Sequence, residues 1–178
     1  MNRQGDWMQT FTGRQFWPLD PRPEEIFIED IAHALSLQCR YGGHTKVFYS
    51  VAEHSWRVSA VCDSCNALWG LLHDAAEAYL IDLPRPIKRF SALGNEYRQI
   101  KARLMATVCE RFGLLLQEPL DVRRTDDFML QWEARDLMAP HPAPWIGEDA
   151  LLPTGRIEPM PPHIAEAAFL DRFKELCR

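Results

Sequence analysis

A chain of 178 residues, 47% apolar and 25% charged, has the make-up of one globular domain able to bury its own core. Its formal charge of −5 argues against a surface that coats a nucleic-acid polymer. There is no run of about 18 apolar residues to cross a membrane, no apolar run after the first residues to act as a signal peptide, and an odd count of five scattered cysteines, which together predict a reducing, cytoplasmic setting.

Residues 1–23 read as an irregular arm. Thr12-Gly13 is a turn signal, and Trp17-Pro18-Leu19-Asp20-Pro21-Arg22-Pro23 is too proline-rich for a helix. The flanking Gln9-Thr10-Phe11 and Gln15-Phe16-Trp17 fit a short hairpin whose aromatics anchor the arm. A first helix is expected from 23 or 24 to about 40, because Ile28, Ile31, Ala32 and Leu35 recur at three- and four-residue steps. Tyr41-Gly42-Gly43-His44 breaks it. A second helix spans about 50–61, with Ser50 and Glu53 in capping-box spacing. Cys62-Asp63-Ser64-Cys65 is a CxxC pair without the second pair a zinc site needs, and it reads as a turn.

A third helix is expected over 66–80, closed by Asp82-Leu83-Pro84-Arg85-Pro86, with a helical turn at 87–90 after it. A fourth runs over 96–112 on the stripe Tyr97, Ile100, Leu104, Val108 and Phe112, and Gly113 stops it. A fifth runs over 120–137. Ala139-Pro140-His141-Pro142-Ala143-Pro144 then opens a loop to about 162, and a sixth helix covers 163–177. These elements predict an all-α bundle of five to seven helices behind an irregular arm. The chain reads as one domain: arm 1–23, helical core 24–138 and a loop with a last helix over 139–178.

The third helix is the unusual one. Leu68-Trp69-Gly70-Leu71-Leu72-His73-Asp74-Ala75-Ala76-Glu77-Ala78-Tyr79-Leu80 is mostly apolar, yet it carries a histidine and two carboxylates. Burying ionised carboxylates costs several kcal/mol unless something compensates them. A divalent metal is an economical counter-charge, because imidazole and carboxylate are standard ligands. Helical spacing puts Glu77 beneath both His73 and Asp74. His54 sits on the inward side of the second helix with Val51, Val58 and Val61, as either a core histidine or a further ligand. On the fifth helix, Asp126 shares a face with Val122, Met129, Leu130 and Leu137. Asp127 shares one with Arg123, Arg124 and Gln131, so Asp126 is the inward carboxylate. Glu133 lies on Asp126's face, as a supporting group or as a partner of Arg135 or another cation. Arg40, His44, Thr45, Lys46 and Arg85 supply cations and polar groups able to hold phosphate, and Gly42-Gly43 allow close backbone approach. His33, His141 and His163 read as structural.

The ordered set His54, His73-Asp74 and Asp126 resembles the H…HD…D pattern of the HD-domain phosphohydrolase superfamily. Ala52-Glu53-His54-Ser55, His73-Asp74-Ala75-Ala76-Glu77 and Asp82-Leu83-Pro84-Arg85-Pro86 are most similar to the bacterial and phage hydrolases related to 5′-deoxynucleotidases. The resemblance covers about 27–138. It implies stacked helices around one divalent ion (manganese, cobalt, nickel, iron or zinc) held by His54, His73, Asp74 and Asp126. It makes Glu77 the catalytic carboxylate beside Asp74, and gives Asp82 a sugar contact or a supporting place at the site and Arg40 a phosphate contact. The implied activity is release of phosphate from (deoxy)nucleoside 5′-monophosphates, with deoxynucleoside triphosphate triphosphohydrolysis as the second activity and a non-catalytic nucleotide or metal sensor as a third reading. The implied partners are a nucleotide and, since relatives often dimerise, a second copy of the chain.

Overall fold

The computed structural model describes residues 3–143 and 152–178. Its architecture is all-α, with one minimal sheet in the arm. β1 (Met8–Gln9) pairs antiparallel with β2 (Gln15–Phe16), Met8 opposite Phe16. The first strand therefore sits one residue before the expected run. Phe16 is fully buried and stacks on Tyr79 at 4.1 Å, so this aromatic does fasten the arm to the helices.

The helices are α1 (Ile28–Leu37), α2 (Val51–Val61), α3 (Ala67–Leu72), α4 (Glu77–Leu80), α5 (Arg85–Phe90), α6 (Ala92–Phe112), α7 (Leu120–Leu137) and α8 (Pro162–Leu176). α2 is the central rod, packed against α1, α3, α7 and α8. Its Val51 and Ala52 join a core of Ile31, Leu35, Leu71, Leu72, Leu104 and Phe169. Its Val58 joins a second core of Tyr49, Trp69, Val122, Met129 and Leu137. Ser50 caps α2 by accepting from the Glu53 N–H at 3.0 Å. The reciprocal half of the capping box is absent, because Glu53 turns to Arg57 and to the Met160 N–H instead.

Three expectations need correction. The first helix is shorter than 23–40: a 3-10 turn over Pro23–Glu25 precedes α1, which ends at Leu37. Gln38 and Cys39 are extended there because their strand-like backbone pairs with the entry to α2. The Arg40 N–H donates to Tyr49 O at 2.8 Å and the Val51 N–H to Gln38 O at 3.0 Å. Arg40 therefore stands in a separate 3-10 turn, Arg40–Gly43, and not at a helix end. The fourth helix begins earlier than 96, at Ala92, because Ser91 caps it by accepting from the Gly94 N–H. Gly94 is required there, since a Cβ would press into the carbonyls of Ile87 and Lys88 on α5.

The third correction bears on the site. The expected helix over 66–80 is broken between α3 and α4. Across the break the bonds are of the tighter 3-10 kind, Ala75 N–H to Leu72 O and Glu77 N–H to Asp74 O, both at 2.9 Å. His73 (φ −59°, ψ −30°) and Ala76 (φ −62°, ψ −26°) have 3-10 dihedrals. At three residues per turn Glu77 eclipses Asp74. The part of the expected loop at 144–151 lies outside the described residues. No described helix is long and apolar enough to cross a membrane.

Candidate metal centre

His54 is fully buried, within the first turns of α2 where Val51 to Ser55 are all buried. Its Nδ1 lies 2.6 Å from Glu133 Oε1, and a carboxylate only accepts, so Nδ1 carries the hydrogen. His73 Nδ1 lies 2.7 Å from the carbonyl of Gly70, which fixes the same tautomer. In their neutral forms both rings thus turn a bare Nε2 lone pair toward the other across 3.2 Å. Two lone pairs that close repel unless a cation lies between or beside them.

The carboxylates gather at that point. Asp74 Oδ2 is 3.3 Å from His73 Nε2, and Asp126 Oδ1 is 3.1 Å from His54 Nε2. His54, His73 and Asp74 offer ligand atoms that all lie within 4.8 Å of one another, a group that could hold a metal ion. The fit is chemically sound. Two nitrogens each about 2.1 Å from one ion, at angles of about 90–110°, stand about 3.0–3.4 Å apart, and the imidazoles are already at 3.2 Å. Asp126 approaches from the His54 side, with a third of its side chain exposed.

Charge points the same way. Asp74, Asp126, Glu77 and Glu133 are opposed by two fixed cations, Arg40 and Lys101. With neutral imidazoles the cluster lacks two positive charges, and one divalent ion would supply them. The negative field draws protons where it can. Burial disfavours a charged His73, yet Asp74 outweighs it and lifts the imidazole to about 9. Burial and the adjacent Asp74 push Glu77 up to about 7. Burial also works against an ionised Glu133, but Arg40 and His54 hold it down at about 2.

Two known proteins are similar to this chain over much of its length. The chain is 34% identical to the uncharacterized protein YfdR of Escherichia coli (strain K12) over 172 residues, 96% of this chain and 95% of that one. The chain belongs to the YfdR family. The uncharacterized protein RCAP_rcc00048 of Rhodobacter capsulatus is 40% identical over 127 residues, 66% of this chain and 64% of that protein. No family model matches.

Within this family member, the structure brings His54, His73 and Asp74 together and sets Asp126 against His54, with Glu77 one tight turn below Asp74. Asp127 points away, 62% exposed and 3.9 Å from Arg85. Arg85 therefore stands at the rim beside Asp126's neighbour. Asp82 is on the same side, paired with Lys88 at 2.6 Å. Arg40 is inside: its Nε donates to Glu133 at 3.1 Å and its Nη1 lies 3.7 Å from Asp74. His44, Thr45 and Lys46 are not brought to the cluster. The Lys46 N–H donates to Leu137 O, and its ammonium reaches Asp136 O at 3.4 Å, at the far end of α7. That end is roughly 15 Å along the helix from Asp126.

Two groups emerge as central that sequence reasoning left open or missed. Glu133 is the supporting group and not a partner of Arg135, which pairs with Asp136. It accepts from His54, Arg40, Tyr41 and Tyr49 at 2.5 to 3.1 Å. Lys101 was not singled out. Its ammonium donates to Asp74 Oδ1 at 3.1 Å and Glu77 Oε1 at 2.6 Å. The signal was in the sequence: Lys101 stands four residues after Tyr97 and three before Leu104, a lysine on the apolar stripe of α6.

Proposed function

We propose that this protein is a divalent-metal-dependent phosphohydrolase of the HD type, acting on (deoxy)nucleoside 5′-monophosphates. The observation that carries the reading is the pair of Nε2 atoms at 3.2 Å, flanked by Asp74 and Asp126, with Glu77 beside them. His54, His73, Asp74 and Asp126 are the residues that would hold the ion. Bound there, a divalent ion supplies charge to a phosphate oxygen and lowers the pKa of a water.

The chain's own groups do the rest. Glu77 has Oε1 engaged by Lys101, which leaves Oε2 to take a proton from the attacking water. The water oxygen forms a bond to phosphorus as the bond from phosphorus to the 5′ oxygen breaks. The proton passes from Glu77 to that leaving oxygen, so a nucleoside and phosphate are the products. Arg40 spends Nε on Glu133 and turns Nη1 toward Asp74, which leaves Nη2 to bind phosphoryl oxygens. Arg85, at the rim, offers a second guanidinium.

The test is a panel of nucleoside mono- and triphosphates incubated with metal-stripped protein reloaded with manganese, cobalt, nickel, iron or zinc. Metal-dependent release of inorganic phosphate from monophosphates is the expected outcome. Release of triphosphate from deoxynucleoside triphosphates would move the reading to the triphosphohydrolase. A protein that takes up stoichiometric metal and binds nucleotide without turnover would replace hydrolysis with sensing.

A further inference from the structure

Lys101 is misplaced for a structural lysine. It sits within an apolar stripe on α6, between Tyr97 and Leu104, and only 23% of its side chain is exposed. α6 is held against the end of α4 by the Tyr97 hydroxyl, which donates to Ile81 O at 2.6 Å. That contact sets the ammonium between Asp74 and Glu77. Asp74 is thereby split: Oδ2 faces His73 Nε2 at 3.3 Å, and Oδ1 holds Lys101. One carboxylate therefore joins the imidazole pair to a fixed cation.

An ammonium has three N–H donors. Two are spent on Asp74 and Glu77, and the third has no acceptor among the described residues. The Lys101 side chain is 23% exposed and that of Glu77 only 4%, so solvent, and an anion with it, reaches this pair from the lysine. We propose that Lys101 is a catalytic residue of this site, its free N–H donating to a phosphoryl oxygen of the substrate while its two bonds hold Asp74 and Glu77 in place. The proposal rests on the phosphohydrolase reading for its substrate, but it is tested by phosphate binding, which needs no turnover.

The experiment measures binding of inorganic phosphate to manganese-loaded protein by calorimetry, for the wild type, Glu77→Gln, Lys101→Met and the double variant Lys101→Met/Glu77→Gln. The double variant keeps the wild-type net charge and removes both partners of one ion pair together, a change buried pairs tolerate far better than loss of one partner. It therefore separates a hydrogen bond to phosphate from a bulk charge effect and from failure to fold. The expected result is that phosphate affinity falls at least tenfold in both Lys101 variants and holds or rises in Glu77→Gln. Manganese affinity should stay within about threefold of wild type in the double variant. Phosphate affinity within twofold of wild type in the double variant overturns the proposal, as does a wild type that binds no phosphate. If the wild type hydrolyses no nucleotide yet binds phosphate through Lys101, the phosphohydrolase reading falls and the anion site remains.

Discussion

Replacing Glu133 by glutamine tests whether the imidazole pair is held in place by its support. The carboxylate is fully buried and accepts from His54 Nδ1, Arg40 Nε, Tyr41 and Tyr49. An amide keeps the volume but loses the charge, and its NH2 faces groups that are themselves donors. Breaking a buried ion pair by removing one partner costs about 3–5 kcal/mol. At about 2–4 °C per kcal/mol for a domain of this size, the melting temperature should fall by about 6 °C or more. Loss of the group that orients a metal-binding histidine lowers metal affinity about 10- to 100-fold, or about 1.4–2.7 kcal/mol. Urea unfolding of metal-free protein reads the first effect, and calorimetric manganese binding at low temperature reads the second. Tyr41→Phe is the control: it deletes one of the four donors and leaves His54 supported, so it should cost about 1 kcal/mol and leave metal affinity within about twofold. A folded Glu133→Gln protein that binds manganese as tightly as the wild type would refute the claim that Glu133 sets His54.

Asp74→Ala should abolish both metal uptake and turnover, whereas Asp127→Ala should keep both, since its partner among the described residues is an exposed arginine at 3.9 Å; metal analysis beside the phosphate assay decides. Ile81 holds φ 62° and ψ 156°, a region that suits glycine, with 68% of the residue exposed. Ile81→Gly should therefore raise stability by about 1 kcal/mol, and an unchanged or lower urea midpoint would count against strain at that position. Burial pushes the Asp136 carboxyl up, but Arg135 and the Ile157 N–H prevail and hold it below its usual value. A depressed carboxyl contributes stability that is present above its unfolded value of about 3.9 and is lost as pH falls through the folded one. Asp136→Asn should remove that part of the acid sensitivity, and parallel stability curves for the two proteins below about pH 4 would show that Asp136 contributes none.

Sequence alone settled what periodicity and local chemistry control. The all-α class, the span of α7, the Ser50 cap and the glycine stop after α6 follow from residues close together in the chain. Even the choice of Asp126 over Asp127 was legible, because helical phase ties a side chain's direction to the apolar stripe on its own helix. The break at His73–Ala76 was not, since its residues suit a continuous helix and no local breaker stands among them. Nor could the sequence decide the short first helix, which ends where Gln38 and Cys39 pair with residues around Ser50. Partners of buried charges lie furthest from local rules. Glu133 meets His54 across 79 positions and Lys101 meets Asp74 across 27. Such pairings depend on how α2, α6 and α7 pack, and no spacing within a single helix encodes them.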